Sequence, residues 1–105
     1  MNTQTQKTMA GEILRQLGGN RFIAMTGAKN FACGLDENNE LMMTCKIMRN
    51  AKGISYLRVI YNAIPDTYTM QFIDSKIRVK SEKTSVYCDM LQGVFTENTH
   101  LYTHL

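Results

Sequence analysis

The sequence predicts an α+β fold: a mostly antiparallel sheet of about five or six strands, with an N-terminal and a C-terminal helix packed on it. Apolar residues recur at helical spacing near both ends of the chain, whereas the central part alternates between apolar and polar residues. With 105 residues, the chain is long enough for one hydrophobic core and too short for two. We therefore expect a single domain over residues 1–105, in which residues 1–7 are frayed.

The first helix is predicted to begin near Thr8, a possible N-cap, and to end at Gly18. Four apolar residues repeat at helical spacing between these points: Ala10, Ile13, Leu14 and Leu17. A glycine placed directly after the last of them can adopt the left-handed conformation that satisfies the final helical carbonyls. The helix therefore has a recognisable end.

The next segment combines a flexible turn with a short apolar run. Gly18, Gly19 and Asn20 favour a chain reversal. Residues 22–25 then predict a buried opening strand that bends at Gly27. The alternative is a phosphate-binding glycine loop, but the segment does not match G-x-x-x-x-G-K-[ST] and no helical pattern follows Gly27. We therefore expect a strand here.

Three segments with alternating polarity predict half-buried strands: residues 40–47, 55–62 and 67–73. Leu41, Met43, Cys45 and Ile47 share one face of the first. Tyr68, Met70 and Phe72 are expected to point from the third segment into the core. Residues 63–66, which include Pro65 and Asp66, predict the turn of a hairpin, and residues 36–39 predict an acidic turn.

The C-terminal part predicts one more short strand and the second helix. In residues 77–80, Ile77 and Val79 alternate with Arg78 and Lys80, which places the apolar pair toward the core and the basic pair on the opposite side. Ser85 is a candidate N-cap of the helix, with Asn98 as its end. An apolar stripe lies between them: Val86, Tyr87, Met90, Leu91, Val94 and Phe95.

The cellular setting is predicted from the N-terminus and the cysteines. Residues 1–10 lack the apolar core of a signal peptide, and no run approaches the length of a membrane span, so we expect a cytoplasmic protein. Cys33, Cys45 and Cys88 are odd in number and widely spaced, which favours reduced thiols packed as small apolar residues. The alternative is a zinc site that includes His100 or His104.

Catalytic patterns are weak in this sequence. Asp36, Glu37 and Glu40 cluster in a predicted turn, where solvated charge is the usual explanation. A thiolate at Cys88 activated by a histidine of the C-terminal tail is the alternative. We expect no enzymatic activity, no catalytic residue, no metal site and no cofactor.

Positive charge is concentrated between Lys46 and Lys83, a segment that contains eight basic and three acidic residues. A sheet face that offers arginine, lysine and an aromatic ring can hold phosphates and stack a base. The candidate nucleic-acid-binding residues are Arg49, Lys52, Tyr56, Arg58, Arg78 and Lys80. The alternative is an ordinary solvated face whose lysines keep the protein soluble.

Several long segments carry a resemblance: QLGGNRFIAMTGAKNF, RNAKGISYLRV, the turn at Asp66-Thr67-Tyr68, and the closing VYCDMLQGVFTENTHLYTHL. In these segments the chain resembles a group of small proteins of phages, prophages and other mobile elements of bacteria. The resemblance covers most of the chain from Ile13 onwards. It implies a mobile-element protein and assigns no activity, ligand or site residue.

Two classes of function follow from these observations. The first is a non-enzymatic protein-binding module of a phage or mobile element, acting as a regulator or inhibitor of a host system. Eight methionines support it, since Met42 and Met43 are adjacent and one must face away from the core. The alternative is a nucleic-acid-binding accessory protein that uses a basic sheet face. We expect a host protein, a phage protein or a nucleic acid as the partner, and no membrane; the oligomeric state is not predicted.

Overall fold

The computed structural model describes residues 2–103 and confirms the α+β fold. A five-stranded antiparallel sheet has the strand order β1-β2-β3-β4-β5, with helices at both ends of the chain. The elements are α1 (Thr3–Leu17), α2 (Asn20–Thr26), β1 (Lys29–Leu35), β2 (Leu41–Lys46), β3 (Tyr56–Asn62), β4 (Thr67–Ile73), β5 (Val79–Val86) and α3 (Leu91–Thr99). Among residues 2–103, no helix is both long enough and apolar enough to cross a membrane.

The three central strands follow the predicted alternation. Leu41, Met43 and Cys45 are buried along β2, and the β3–β4 hairpin pairs Tyr56 with Ile73 at its open end and Asn62 with Thr67 at its turn. Tyr68, Met70 and Phe72 are buried, as predicted. Hydrophobic alternation fixes the register here, because a slip of one residue would turn every apolar side chain toward solvent.

The helices pack on the sheet face that carries Met70 and Phe72. The ring of Phe95 in α3 lies 5.1 Å from that of Phe22 in α2 and 6.4 Å from that of Phe72 in β4, measured between centroids. Helix α1 packs on β1 and β2 and also contacts α3. The opposite face, with Thr44, Arg58 and Gln71 in one cross-strand row, is not covered by a helix within residues 2–103.

Helix α1 begins five residues earlier than predicted, at Thr3. Asn2 is its N-cap, and the Asn2 Oδ1 accepts a hydrogen bond from the Thr5 N–H at 2.8 Å. Asparagine is a stronger N-cap than threonine, and the Thr8 hydroxyl instead donates to the carbonyl of Gln4 within the helix. The predicted end is confirmed, since Gly18 adopts φ 126° and its N–H bonds to the carbonyl of Arg15.

The predicted opening strand over residues 22–25 is wrong, because this run lies in helix α2. A short apolar run fits a strand or a buried helical turn equally well. Phe22 and Thr26 are four residues apart and both are buried, and the Thr26 hydroxyl donates to the Phe22 carbonyl at 2.7 Å. The first strand starts after Gly27, which ends the helix with φ 65°.

The boundary between the last strand and the last helix is also wrong. Strand β5 starts at Val79 and continues through Ser85 to Val86, where the helix was predicted. Helix α3 starts at Leu91, and the buried stripe is Leu91, Phe95 and Thr99. The apolar Val86 fills the end of β5 opposite Tyr68, so it contributed to the helical pattern by coincidence.

Candidate functional site

The antiparallel order of the strands brings three separate basic segments to one end of the sheet. A cross-sheet row of paired residues marks this end: Lys29, Lys46, Tyr56, Ile73 and Val79. The β2–β3 connection and the β4–β5 turn extend beyond the row. Seven exposed cations lie in the row or in the adjoining segments, and we call this region the basic end: Lys29, Lys46, Arg49, Lys52, Lys76, Arg78 and Lys80.

The opposite end of the sheet carries the opposite charge. It is formed by the β1–β2 turn, the β3–β4 turn and the segment that follows β5. We call it the acidic end, and its charged residues are Asp36, Glu37, Glu40, Asp66 and Asp89. Residues 35–41, 62–67 and 86–90 contain no lysine or arginine. The net charge of the chain, +3, therefore conceals a strong separation of charge along the strands.

Five of the six predicted nucleic-acid-binding residues gather at the basic end, and Arg58 lies further along the sheet. They share an end rather than a face. The Lys80 ammonium donates a hydrogen bond to the Lys52 carbonyl at 3.4 Å, and both residues border a depression with Glu97 and Asn98 of α3. The side chains of Tyr56 and Arg58 border a different recess on the uncovered face. The remaining two residues of the set, Arg49 and Arg78, are exposed.

Arg58 takes part in a polar row across the uncovered face. Its Nη1 donates to Gln71 Oε1 at 3.1 Å, and Gln71 Nε2 donates to Glu82 Oε2 at 2.7 Å. The Nε of Arg58 is buried and has no acceptor among the described residues. One of the strongest donors of the sheet is therefore incompletely satisfied.

Asp74 organises the β4–β5 turn. Its side chain accepts hydrogen bonds at Oδ1 from the backbone N–H groups of Lys76 (2.9 Å) and Arg78 (3.0 Å), and at Oδ2 from Arg78 Nε (3.0 Å). The hydrogen bond from the backbone N–H of Arg78 is the main cause that lowers the pKa of Asp74. The N–H of Lys76 and the Arg78 guanidinium lower it further, whereas burial of the carboxylate partly opposes the shift. Arg78 is the one cation of the basic end that pairs with an acid within residues 2–103.

The tip of this turn presents a strained isoleucine. Ile77 has φ 62° and is 66% exposed. The left-handed region costs a residue with a Cβ roughly 1–2 kcal/mol, and a β-branched residue there is a true outlier. The prediction that Ile77 and Val79 face the core is therefore wrong; Val79 is 50% exposed. The turn imposed by Asp74 rotates both side chains outward.

Ile77 borders a recess of about 170 Å³ at the junction between the basic end and the uncovered face. Tyr56, Arg58 and Thr44 also line it, together with Ile73, which is 4% exposed. The recess thus has an apolar base, an aromatic ring and a guanidinium in its wall. It can seat a small apolar group beside an anion.

Within the described part of the chain, the cysteines and His100 do not form a common metal site. All three thiols are free: Cys88 is exposed, Cys33 is half-buried and Cys45 is buried. Burial raises the pKa of the Cys45 thiol to about 12, so it stays protonated. Within residues 2–103, no three histidine, cysteine, aspartate or glutamate side chains lie close enough to hold a metal ion. His100 ends α3, and His104 lies outside the described residues.

The charge separation and Ile77 are the features that sequence reasoning missed. The cations were visible, but their common end depends on which connections meet at it. Asp74 and Arg78, four residues apart in a segment with turn-forming Ser75, were the available signal for a closed turn. Comparisons with protein-family models, with curated proteins and with solved structures gave no match to this chain.

Proposed function

We propose that the protein is a non-enzymatic protein-binding module that engages an acidic surface of its partner through the basic end. The observation that carries this proposal is the gathering of seven exposed cations at one end of the sheet. Asp74 is already paired with Arg78 there. Glu97 of α3 borders the depression that Lys52 and Lys80 line. With the sequence resemblance, we further propose a phage or mobile-element protein that regulates or inhibits a host system in the cytoplasm.

Electrostatics favour an anionic partner at this end. Like charges in one region repel each other, and a complementary surface relieves that repulsion on binding. Charges of one sign also steer a partner of the opposite sign during diffusional encounter, at separations up to a Debye length of about 8–10 Å. The acidic end would at the same time repel a partner that approached in the wrong orientation.

Exposed apolar side chains within the basic end favour a protein over a polyanion. Met48 (42% exposed), Ile77 and Val79 lie among the cations. Protein interfaces combine an apolar centre with a polar rim, whereas protein–nucleic acid interfaces are more polar and more uniformly positive. The arrangement therefore matches the anatomy of a protein-binding surface.

Nucleic acid is the second candidate, and a specific observation favours it. Four predicted phosphate-binding residues lie at the same end of the sheet as Tyr56: Arg49, Lys52, Arg78 and Lys80. Two features of the basic end weigh against it. Arg78 is paired with Asp74, and Tyr56 is half-buried, so neither a free arginine fork nor an open stacking platform is offered at these positions.

Co-purification from the native host with matched charge variants tests the proposal. The basic-end variant is Lys46→Gln with Lys76→Gln. The control is Lys7→Gln with Arg21→Gln, which removes the same charge outside the basic end. All four side chains are exposed or nearly so, and both variants should fold normally. We expect the wild type and the control to recover the same protein partner, and the basic-end variant to lose most of it.

Nuclease treatment and salt separate the two candidates. A partner that survives nuclease supports the protein-binding function. Recovery of nucleic acid, with a binding constant that falls steeply with salt concentration, supports the alternative. If both variants recover the same species as the wild type, the basic end is not the binding surface and the proposal is wrong.

A further inference from the structure

We propose that the basic end recognises an acidic segment with an apolar side chain at its centre. Ile77 and the recess beside it bind this apolar side chain, and the surrounding cations bind the carboxylates on either side of it. This inference rests on the proposed function and names the chemistry of the partner.

The backbone of Ile77 is the first step of the argument. The Ile77 N–H donates to the Asp74 carbonyl at 3.0 Å, and the Asp74 N–H donates to the Arg78 carbonyl at 3.0 Å. The three bonds to the Asp74 carboxylate come from Lys76 and Arg78, so the side chain at position 77 takes part in none of the bonds that close the turn. Asparagine or glycine would close the same turn without strain. The turn therefore does not require isoleucine, and the strained position instead presents an apolar side chain to the outside.

The recess provides a place for an apolar group to dock. Its base includes Ile73, which is shielded from solvent, and its rim includes Ile77 and Tyr56. Val79 is paired with Ile73 and extends the apolar surface toward β5. A single aliphatic side chain inserted here would contact apolar atoms on several sides, as the anchor residues of protein interfaces do.

Charge complementarity identifies the flanks of the bound segment as acidic. Lys76 is an immediate neighbour of Ile77 and is exposed, and Lys46 is paired with Tyr56 across the sheet. Arg58 lines the recess with one hydrogen bond to Gln71 and a buried Nε that has no acceptor among the described residues. A small rotation of this side chain would let a carboxylate complete its hydrogen bonding.

Two labelled peptides test the inference on the intact chain. The first alternates glutamate and glycine around one central leucine, and the second has serine in place of the leucine. Fluorescence polarisation at low salt should show that the wild type binds the leucine peptide about tenfold more tightly than the serine peptide, since burial of a leucine side chain is worth about one to two factors of ten.

Two isoleucine variants test whether Ile77 causes the preference for the leucine peptide. Ile77→Asn should abolish the roughly tenfold preference for leucine and leave the weaker, salt-dependent binding of both peptides. Ile64→Asn is the matched control, because Ile64 is fully exposed in the turn at the acidic end. This control should keep the preference unchanged.

The outcomes distinguish the inference from the proposed function. Equal, salt-sensitive binding of both peptides overturns the inference and leaves an acidic partner bound by charge alone. No binding of either peptide at low salt overturns both. In competition, a short oligothymidylate is compared with the unlabelled leucine peptide. If the oligothymidylate displaces the labelled peptide at the lower concentration, the basic end is a nucleic-acid-binding surface and the inference is wrong. If the protein self-associates in a salt-sensitive way and Ile64→Asn removes this association, the recess binds the β3–β4 turn of a second copy. This result would also contradict the inference.

Discussion

The β3–β4 and β4–β5 turns lie at opposite ends of the sheet and reverse the chain in different ways. Each exposes an isoleucine and each is closed by an aspartate. In the β3–β4 turn at the acidic end, Asp66 itself takes the left-handed position with φ 54°, and the Tyr61 hydroxyl donates to its carboxylate at 2.5 Å. In the β4–β5 turn at the basic end, Asp74 closes the turn and Ile77 takes the left-handed position with φ 62°.

The difference separates what a turn needs from what a binding surface needs. Aspartate tolerates positive φ, so the acidic-end turn forms with little strain. Isoleucine does not, so the basic-end turn carries a cost that its hydrogen bonds must offset. Strained residues of this kind concentrate where a side chain has a function. We infer that the acidic-end turn contributes mainly stability, and that the basic-end turn sacrifices stability to present Ile77.

The largest effect should come from the core that both turns share. Phe72 is fully buried and its ring packs against Phe95. Phe72→Ala should lower the free energy of unfolding by about 3–5 kcal/mol, whereas Gln71→Ala, on the uncovered face of the same strand, should cost far less. Denaturant titration measures both. An unchanged midpoint for Phe72→Ala would contradict the strand register that orients both turns.

The next effect should come from Asp74 in acid. Because the pKa of Asp74 is lowered below its ordinary value of 3.8, its contribution to stability is fully present above that pH and is lost as the pH falls through the folded pKa. Asp74→Asn should therefore reduce the loss of stability below about pH 3.8. Thermal unfolding of the wild type and of Asp74→Asn across this range is the measurement. Equal acid sensitivity of wild type and Asp74→Asn would contradict the account of this turn.

The acidic-end turn should instead respond to alkali. The hydrogen bond to Asp66 is the main cause that raises the pKa of Tyr61 to about 12, with smaller effects from burial and from the Asp66 charge. The contribution of this hydrogen bond to stability is complete below the ordinary tyrosine pKa of 10 and is lost as the pH rises toward 12. Burial also raises the pKa of Tyr68, so titration of the tyrosinate absorbance should show Tyr61 and Tyr68 titrating late, and Asp66→Asn should move Tyr61 toward 10. An unchanged titration in this variant would show that the hydrogen bond does not hold the turn.

The smallest effects concern thiol reactivity near each end. Cys88 is exposed near the acidic end, Cys33 is half-buried, and Cys45 is buried beneath the basic end. Labelling of the native protein with a thiol reagent should therefore proceed in that order, with Cys45 modified only as the protein unfolds. Mass spectrometry measures the order, and a mass decrease from a disulfide would contradict three free thiols.

The parts of the fold that the sequence predicted are those in which every second residue is apolar and faces the core. Residues 41–47 and 67–73 carry an apolar side chain at every second position, so their strands and their core face could be predicted. Strand β5 could not, because it is an edge strand whose interior is polar between Val79 and Val86. Helix α2 was missed because its apolar run is too short to distinguish a helix from a strand.

The candidate site was predictable in composition but not in shape. The cations of the basic end come from the start of β1, the β2–β3 connection and the β4–β5 turn, and only the strand order brings these together. The φ of Ile77 follows from the hydrogen bonds that Asp74 makes, which the sequence pattern does not show. The alternation of Ile77 and Val79 with basic residues therefore predicted core-facing side chains, whereas both are exposed. Local patterns describe side chains, whereas this site depends on backbone geometry.

The free energy of unfolding of Ile77→Asn, measured beside Ile64→Asn, tests the central claim most directly. Asparagine tolerates the left-handed region, so Ile77→Asn should raise the stability by about 1 kcal/mol with an unchanged denaturant slope. Ile64→Asn, in the turn that carries no such strain at its isoleucine, should stay within about 0.5 kcal/mol of the wild type. If Ile77→Asn is less stable than the wild type, isoleucine supports the fold at this position, and the claim that the basic end sacrifices stability for recognition is wrong.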